Sequence, residues 1–323
     1  MKRKAGKAAF AAVLIAFAAM AAGSGSSASG GGKASKVGEV STEAPAAEQE
    51  TESVTPEKDA YQVGDVIKDG GLQIVYVASG EYQEDNSYEQ PADGNKLIFL
   101  KFAFENQGKS DLSVSCYSFN CYADGYQADQ HYKQDSLSAT ISSGRSADGI
   151  VIFEVPSDAQ DVEVEYTANV ITDRKIKFAY EGEQDSGYVA EADTASSENA
   201  FSVGDIVESE NLNITYLSCE NDTSYNEYMA PDAGSHYVTL QFEFENKGSS
   251  DEHISVYDFE CYADGKACDQ KYFRDDLLSS TLSAGRKAQG AVTFQVPDDA
   301  ATVEVEYNSN YWTSSHVIFA VTE

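Results

Sequence analysis

The chain is poor in the residues from which most catalytic and metal centres are built. It has four histidines and five cysteines in 323 residues. The histidines are His131, His236, His253 and His316, and none recurs at the matching place of the internal repeat described below, so no histidine dyad is duplicated. A single Cys-x4-Cys spacing, Cys116 to Cys121, does not supply the four donors a structural zinc needs. The signatures G-x-S-x-G, H-E-x-x-H, the P-loop, the EF-hand and the dinucleotide fingerprint are missing. Basic residues are scarce as well: 22 against 54 acidic, a net charge of −32. A surface of that sign repels nucleic acid and anionic lipid, so neither is expected as a partner. The acidity is spread along the chain, as on a solvated surface.

Aromatic residues are plentiful. With 20 Tyr and 15 Phe the chain is too aromatic to be mostly disordered, and these residues suit sheet surfaces. Its length allows two or three domains.

Residues 1–22 read as a signal peptide. Lys2, Arg3, Lys4 and Lys7 are followed by the apolar run Ala8–Ala22, with Ala19-Met20-Ala21 as a cleavage site. "AAGSGSS" resembles a bacterial lipobox in which Ser24 stands where the lipidated cysteine belongs. Lipidation needs a thiol, so the expectation is an exported, unlipidated protein of the cell envelope or extracellular space. No integral span is expected in the mature protein, and membrane anchoring is expected only if a cysteine replaced Ser24. Residues 23–59 are rich in Gly and Ser, then in Glu, Thr and Pro, and read as a disordered tether.

The rest of the chain is a tandem repeat. "YQVGDVIKDGGLQIVY" from Tyr61 aligns with "FSVGDIVESENLNITY" from Phe201, and the offset of 140 holds to Asp135/Asp275. One inserted residue then makes it 141, through Thr140/Thr281 to Phe178/Phe319. The units are 60–182 and 200–323, joined by a polar linker over 183–199. Within each the apolar period is two: Ile98, Leu100, Phe102 and Phe104 share a face, as do Val238, Leu240, Phe242 and Phe244. On the opposite face Thr239, Gln241, Glu243 and Glu245 belong in water. Seven or eight short strands in about 120 residues predict a two-sheet antiparallel sandwich in each unit.

The pentapeptide CYADG occurs at Cys121–Gly125 and at Cys261–Gly265. Asp124-Gly125 and Asp264-Gly265 predict two-residue hairpin turns, because a type I′ turn needs positive φ at both central positions. Centred there, Cys261 faces Cys268, whereas Cys121 faces Ala128. The tyrosine of each copy then points away from the core and the cysteine toward it. Two readings stand for Cys261 and Cys268: buried structural thiols, or a cross-strand disulfide favoured by export. Cys116, Cys121 and Cys219 have no assignable partner. No catalytic cysteine is expected, since none has a repeated histidine or cation beside it.

Asp129, Asp135, Asp269, Asp275 and Asp276 cluster after the hairpins and suit either a solvated loop or calcium. Arg145 and Arg286 occupy matching "SGR" and "AGR" turns. They suit a structural ion pair or carbonyl contact, or alternatively a ligand carboxylate. Trp312 is expected to pack under the final strand, as Ile171 does in the first unit; a sugar-binding role is the other reading.

"VGD", "FEFENKG", "FECYADG", "LSAGR" and "VTFQVP", in this order, resemble the domain-of-unknown-function family 4352. The resemblance covers about residues 60–182 and 200–321. It implies an immunoglobulin-like sandwich in a secreted protein or lipoprotein, mostly of Gram-positive bacteria. It implies no reaction, cofactor or metal. The expectation is therefore an all-β, non-enzymatic tandem of two immunoglobulin-like sandwiches that binds a protein or surface ligand. The alternative is a structural spacer for envelope machinery.

Overall fold

The alternation of apolar and polar residues becomes two stacks of antiparallel strands. The computed structural model describes residues 35–39, 60–133, 136–169, 174–191, 193, 197, 199–208, 211–310 and 315–322. The signal peptide, Ser24, Ile171 and Trp312 lie outside the described residues, and so does Asp135.

The first repeat comprises β2 (Asp65–Asp69), β3 (Leu72–Glu81), β4 (Asn95–Asn106), β5 (Leu112–Ser115), β6 (Phe119–Ala123), β7 (Tyr126–His131), β8 (Ser138–Ile141), β9 (Ser146–Pro156), β10 (Val162–Asn169) and β11 (Arg174–Ala179). Ahead of them β1 (Ser35–Glu39), inside the segment expected as a tether, pairs antiparallel with β2. One sheet runs β2-β3-β4-β9-β7 and the other β7-β6-β10-β11, with β5 and β8 as a separate pair. Strand β7 serves both sheets: its first half pairs with β6 and its second with β9. Such sheet-switching strands make the corner of a sandwich.

After β12 (Gln184–Asp185), the second repeat follows the same plan. It comprises β13 (Ile206–Glu208), β14 (Leu212–Asn221), β15 (Ser235–Asn246), β16 (Glu252–Ser255), β17 (Phe259–Ala263), β18 (Lys266–Ala267), β19 (Asp269–Lys271), β20 (Ser279–Leu282), β21 (Lys287–Pro297), β22 (Val303–Asn310) and β23 (Ser315–Ala320). Here the corner strand is broken into β18 and β19, with Cys268 at the break. Among the described residues the only helical elements are single 3-10 turns at Cys116–Ser118, Glu227–Met229 and Val256–Asp258.

Each sandwich has its own core. Ile98, Leu100, Phe102 and Phe104 pack with Phe119, Cys121, Phe153, Val164 and Phe178. Val238, Leu240, Phe242 and Phe244 pack with Phe259, Cys261, Phe294, Val305 and Phe319. Burying a large apolar side chain contributes about 1.5–3 kcal/mol, so these two faces supply most of the fold's stability. Phe102 stacks on Phe119 with ring centroids 5.1 Å apart, and Phe242 on Phe259 at 5.2 Å.

Two expectations about sheet faces need correction. Thr239 is fully buried: its hydroxyl bonds Asp222 at 2.8 Å and Thr293 at 2.7 Å, and Asp222 is itself held by Arg274. A salt-bridged carboxylate draws the threonine under cover. The polar linker is not a free spacer either. β12 adds to the edge of β3, and Ser186 donates to the Val77 carbonyl at 2.8 Å. Tyr188 covers Val75, Val77 and Ala103, an apolar outer face that the first repeat has and the second lacks.

Candidate functional site

The CYADG copies fold alike and end up in different surroundings. Asp124 and Gly125 have φ of 50° and 81°, and Asp264 and Gly265 of 48° and 81°. Glycine relieves the second of these positions, and aspartate tolerates the first. Each aspartate also brackets the next hairpin. Asp124 accepts from the Gln160 and Asp161 amides, and Asp264 from those of Ala301 and Thr302. Sequence reasoning sees the turn and misses this second duty.

The register places Cys121 opposite Ala128, and Cys268 N–H donates to the Cys261 carbonyl at 2.8 Å. All five cysteines are free thiols in the structure, Cys261 and Cys268 included. Burial pushes the Cys121 thiol up to about 12 and holds the Cys261 thiol well above its ordinary value too, with Cys268 adding to it. A nucleophilic thiol needs the opposite shift.

The tyrosines differ most. Tyr122 is half-buried, whereas Tyr262, expected to face away into solvent, is buried against the first repeat. Its hydroxyl accepts from Ser142 N–H at 2.9 Å and donates to the Thr140 carbonyl at 3.0 Å. Arg145 lies over its ring, 5.0 Å from the centroid. The guanidinium donates through Nε to Glu306 at 3.0 Å and through Nη2 to Glu304 at 2.5 Å. Burial works against the charge on Arg145, yet the two carboxylates outweigh it and hold its pKa above the ordinary value. Around this centre Asp111 accepts from Asn308 at 3.0 Å and meets His316 at 3.0 Å. Lys266 pairs with Asp148 at 2.5 Å. From the linker, Ser197 N–H donates to Glu304 at 2.6 Å. Of the two readings of Arg145, the structure selects the ion pair. Arg286, its counterpart, is exposed.

Among the described residues the acidic side chains after the hairpins do not converge. Asp269 pairs with Lys271, and Asp276 with Arg274 and Gln241, while Asp129 sits on β7. A different set, Glu84, Glu89 and His131, brings metal-type donors together among the described residues. Lys133 already holds a cation's place there. Its ammonium lies 2.5 Å from Glu84 and contacts Glu89, and it keeps the Glu84 carboxyl down to about 2.

Exposed aromatics form the remaining feature. Tyr117 and Tyr132 are 74% and 50% exposed with ring centroids 5.0 Å apart. Tyr257 and Tyr272 repeat them at 71% and 49% and 5.6 Å. Tyr88 and Tyr228, at 95% and 89%, form a third matched position. Each pair joins a 3-10 turn to the end of the corner strand, so it lies at a sandwich edge and not on a sheet face. The 140-residue offset contains this signal, but exposure is what distinguishes these tyrosines from core ones.

The family profile "Domain of unknown function (DUF4352)" matches residues 61–176 and 201–317. The chain belongs to the DUF4352 family. Its two DUF4352 units resemble several solved structures at low similarity. The ycdA protein of Bacillus subtilis is 19% identical with a TM-score of 0.31, over 34% of this chain and 36% of that one. The chain thus spans about a third of that protein's length. The secreted protein MPT63 of Mycobacterium tuberculosis is 16% identical with a TM-score of 0.30, over 38% of this chain and 99% of that one. A β-sandwich protein of Clostridium difficile is 13% identical with a TM-score of 0.28, over 40% and 98%. No curated protein matches the chain.

Proposed function

We propose that this DUF4352 tandem is an exported, non-enzymatic module of the cell envelope or extracellular space that binds a protein or surface ligand. The duplicated, exposed tyrosine pairs carry this reading. Leaving large aromatic rings in water at the same place in both copies costs solubility without adding to the core, and tyrosine is a typical anchor of binding surfaces. Two linked copies of a weak site raise avidity for a repetitive target. The acidic surface and the protonated, buried thiols accord with binding in place of nucleophilic chemistry. Among the described residues no helix is long and apolar enough to cross a membrane.

The test is retention of the full chain on insoluble cell-wall material and on immobilised envelope protein extract. Y117S/Y132S and Y257S/Y272S, separately and together, should reduce retention, the quadruple variant most. Retention of the quadruple variant at the wild-type level would overturn the reading. The buried joint around Arg145 favours a second reading, a rigid spacer, which predicts no retention of any of these proteins.

A further inference from the structure

The contact between the repeats is heterologous: an edge of the first meets a face of the second. Contacts of that kind can propagate when both surfaces recur. Here they do. The edge consists of Asp111, Thr140, Ser142 and Arg145, and the second repeat carries Asp251, Thr281, Ser283 and Arg286 at the same places. All four of these are exposed. The face consists of Tyr262, Glu304 and Glu306, and the first repeat carries Tyr122, Glu163 and Glu165. The second repeat therefore carries a second copy of the edge, and the first repeat a second copy of the face.

The two faces differ in what neighbours the glutamates. In the first repeat Lys177 meets Glu163 at 2.7 Å and Lys175 meets Glu165 at 2.9 Å. In the second repeat His316 and Ile318 stand at those positions. The first face is thus neutralised by its own lysines, and the second is left two negative charges for Arg145. An arginine approaching the first face meets two ammonium groups and carboxylates that are already engaged. Juxtaposed like charges exclude a wrong partner more effectively than a missing contact does.

We propose that Lys175 and Lys177 restrict the chain to one internal joint by keeping the Arg286 edge of a second copy off the Tyr122–Glu163–Glu165 face. Without them the chain docks head to tail on itself.

The experiment exchanges these residues for those of the second repeat. Sedimentation equilibrium of the K175H/K177I chain should show a mass that rises with concentration, while the wild type stays monomeric. Adding R286A should weaken that association about tenfold or more, since one partner of a charge pair is removed. K175Q/K177Q provides a milder variant if the first does not melt as a folded protein. A folded lysine variant that stays monomeric, an association indifferent to R286A, or a wild type that already assembles through Arg286 would each overturn the proposal.

Discussion

At the scale of single residues, the repeat separates what is structural from what is local. Gly149 and Gly290 stand at equivalent places because the backbone just ahead of β8 and β20, at Leu137 and Leu278, passes directly over them. A Cβ on Gly290 would lie 2.6 Å from the Leu278 Cα, and one on Gly149 2.7 Å from the Leu137 Cα. Backbone cannot yield as a side-chain tip can. Gly290→Ala is therefore expected to cost about 1–3 kcal/mol, read as a lower urea midpoint at unchanged slope. Asn106 and Asn246 are likewise duplicated and fully buried. Each donates to two carbonyls, Ser110 and Ile141 in one copy and Ser250 and Leu282 in the other. Asn-x-Gly reads as a plain turn in the sequence; the buried bracket it forms depends on the ends of β8 and β20, which return 35 and 36 residues later. Cys261 and Cys268 differ from all of these in having no counterpart pair. The Cys268 N–H meets the Cys261 carbonyl at the break in the corner strand, and oxidation would join the two thiols. Three free thiols on the unreduced, unfolded protein, with four in each of Cys261→Ser and Cys268→Ser, would establish that bond, and five in the wild type would exclude it.

At the scale of elements, alternation along β4, β15, β9 and β21 was enough to place both cores and both sheets, because a sheet with one wet face imposes a period of two. What escaped was everything that depends on the second repeat touching the first. Tyr262 looks solvent-bound from its own hairpin, and Arg145 looks like any turn arginine. Only the matched pair Arg145/Arg286, a basic residue kept twice in an acidic chain, hinted at the joint. The paired tyrosines escaped for a related reason: nothing in a period-two pattern separates an exposed edge aromatic from a core one. The two arginines now carry opposite expectations. Arg145→Ala leaves Glu304 and Glu306 buried without their partner, and loss of one member of a buried pair costs about 3–5 kcal/mol. Arg286→Ala touches a solvated site and should stay within about 0.5 kcal/mol. Equal thermal shifts for the two variants would refute the joint as an energetic element.

At the scale of the whole molecule, the joint concentrates carboxylates in a chain that already carries −32. Glu260 lies on β17 opposite Glu306, with Asp111, Thr140 and Arg145 from the first repeat nearby. Burial first, then the charges of Glu306 and Asp111, pushes its carboxyl up to about 7. An unfolded glutamate titrates near 4.3. Between these values the folded protein holds a proton the unfolded chain has released, so stability falls as pH rises through that window and this contribution is gone above about 7. Glu304 and Asp222 act in the other direction. For both, burial opposes ionisation but is outweighed, by the Ser197 amide and Arg145 for Glu304 and by Ser224 and Arg274 for Asp222. Their contribution is present above pH about 4 and is lost as pH falls through their lowered values. The melting temperature should therefore peak near pH 5 and decline toward pH 8. The alkaline limb amounts to about 1–3 kcal/mol, since one pKa unit corresponds to about 1.4 kcal/mol. Glu260→Gln removes the titrating group while keeping its shape and its hydrogen bond to Thr140. It should flatten the limb between pH 5 and 8 and leave the acid limb in place. A Glu260→Gln chain that keeps the wild-type slope across that window would move the origin of the pH dependence away from the joint.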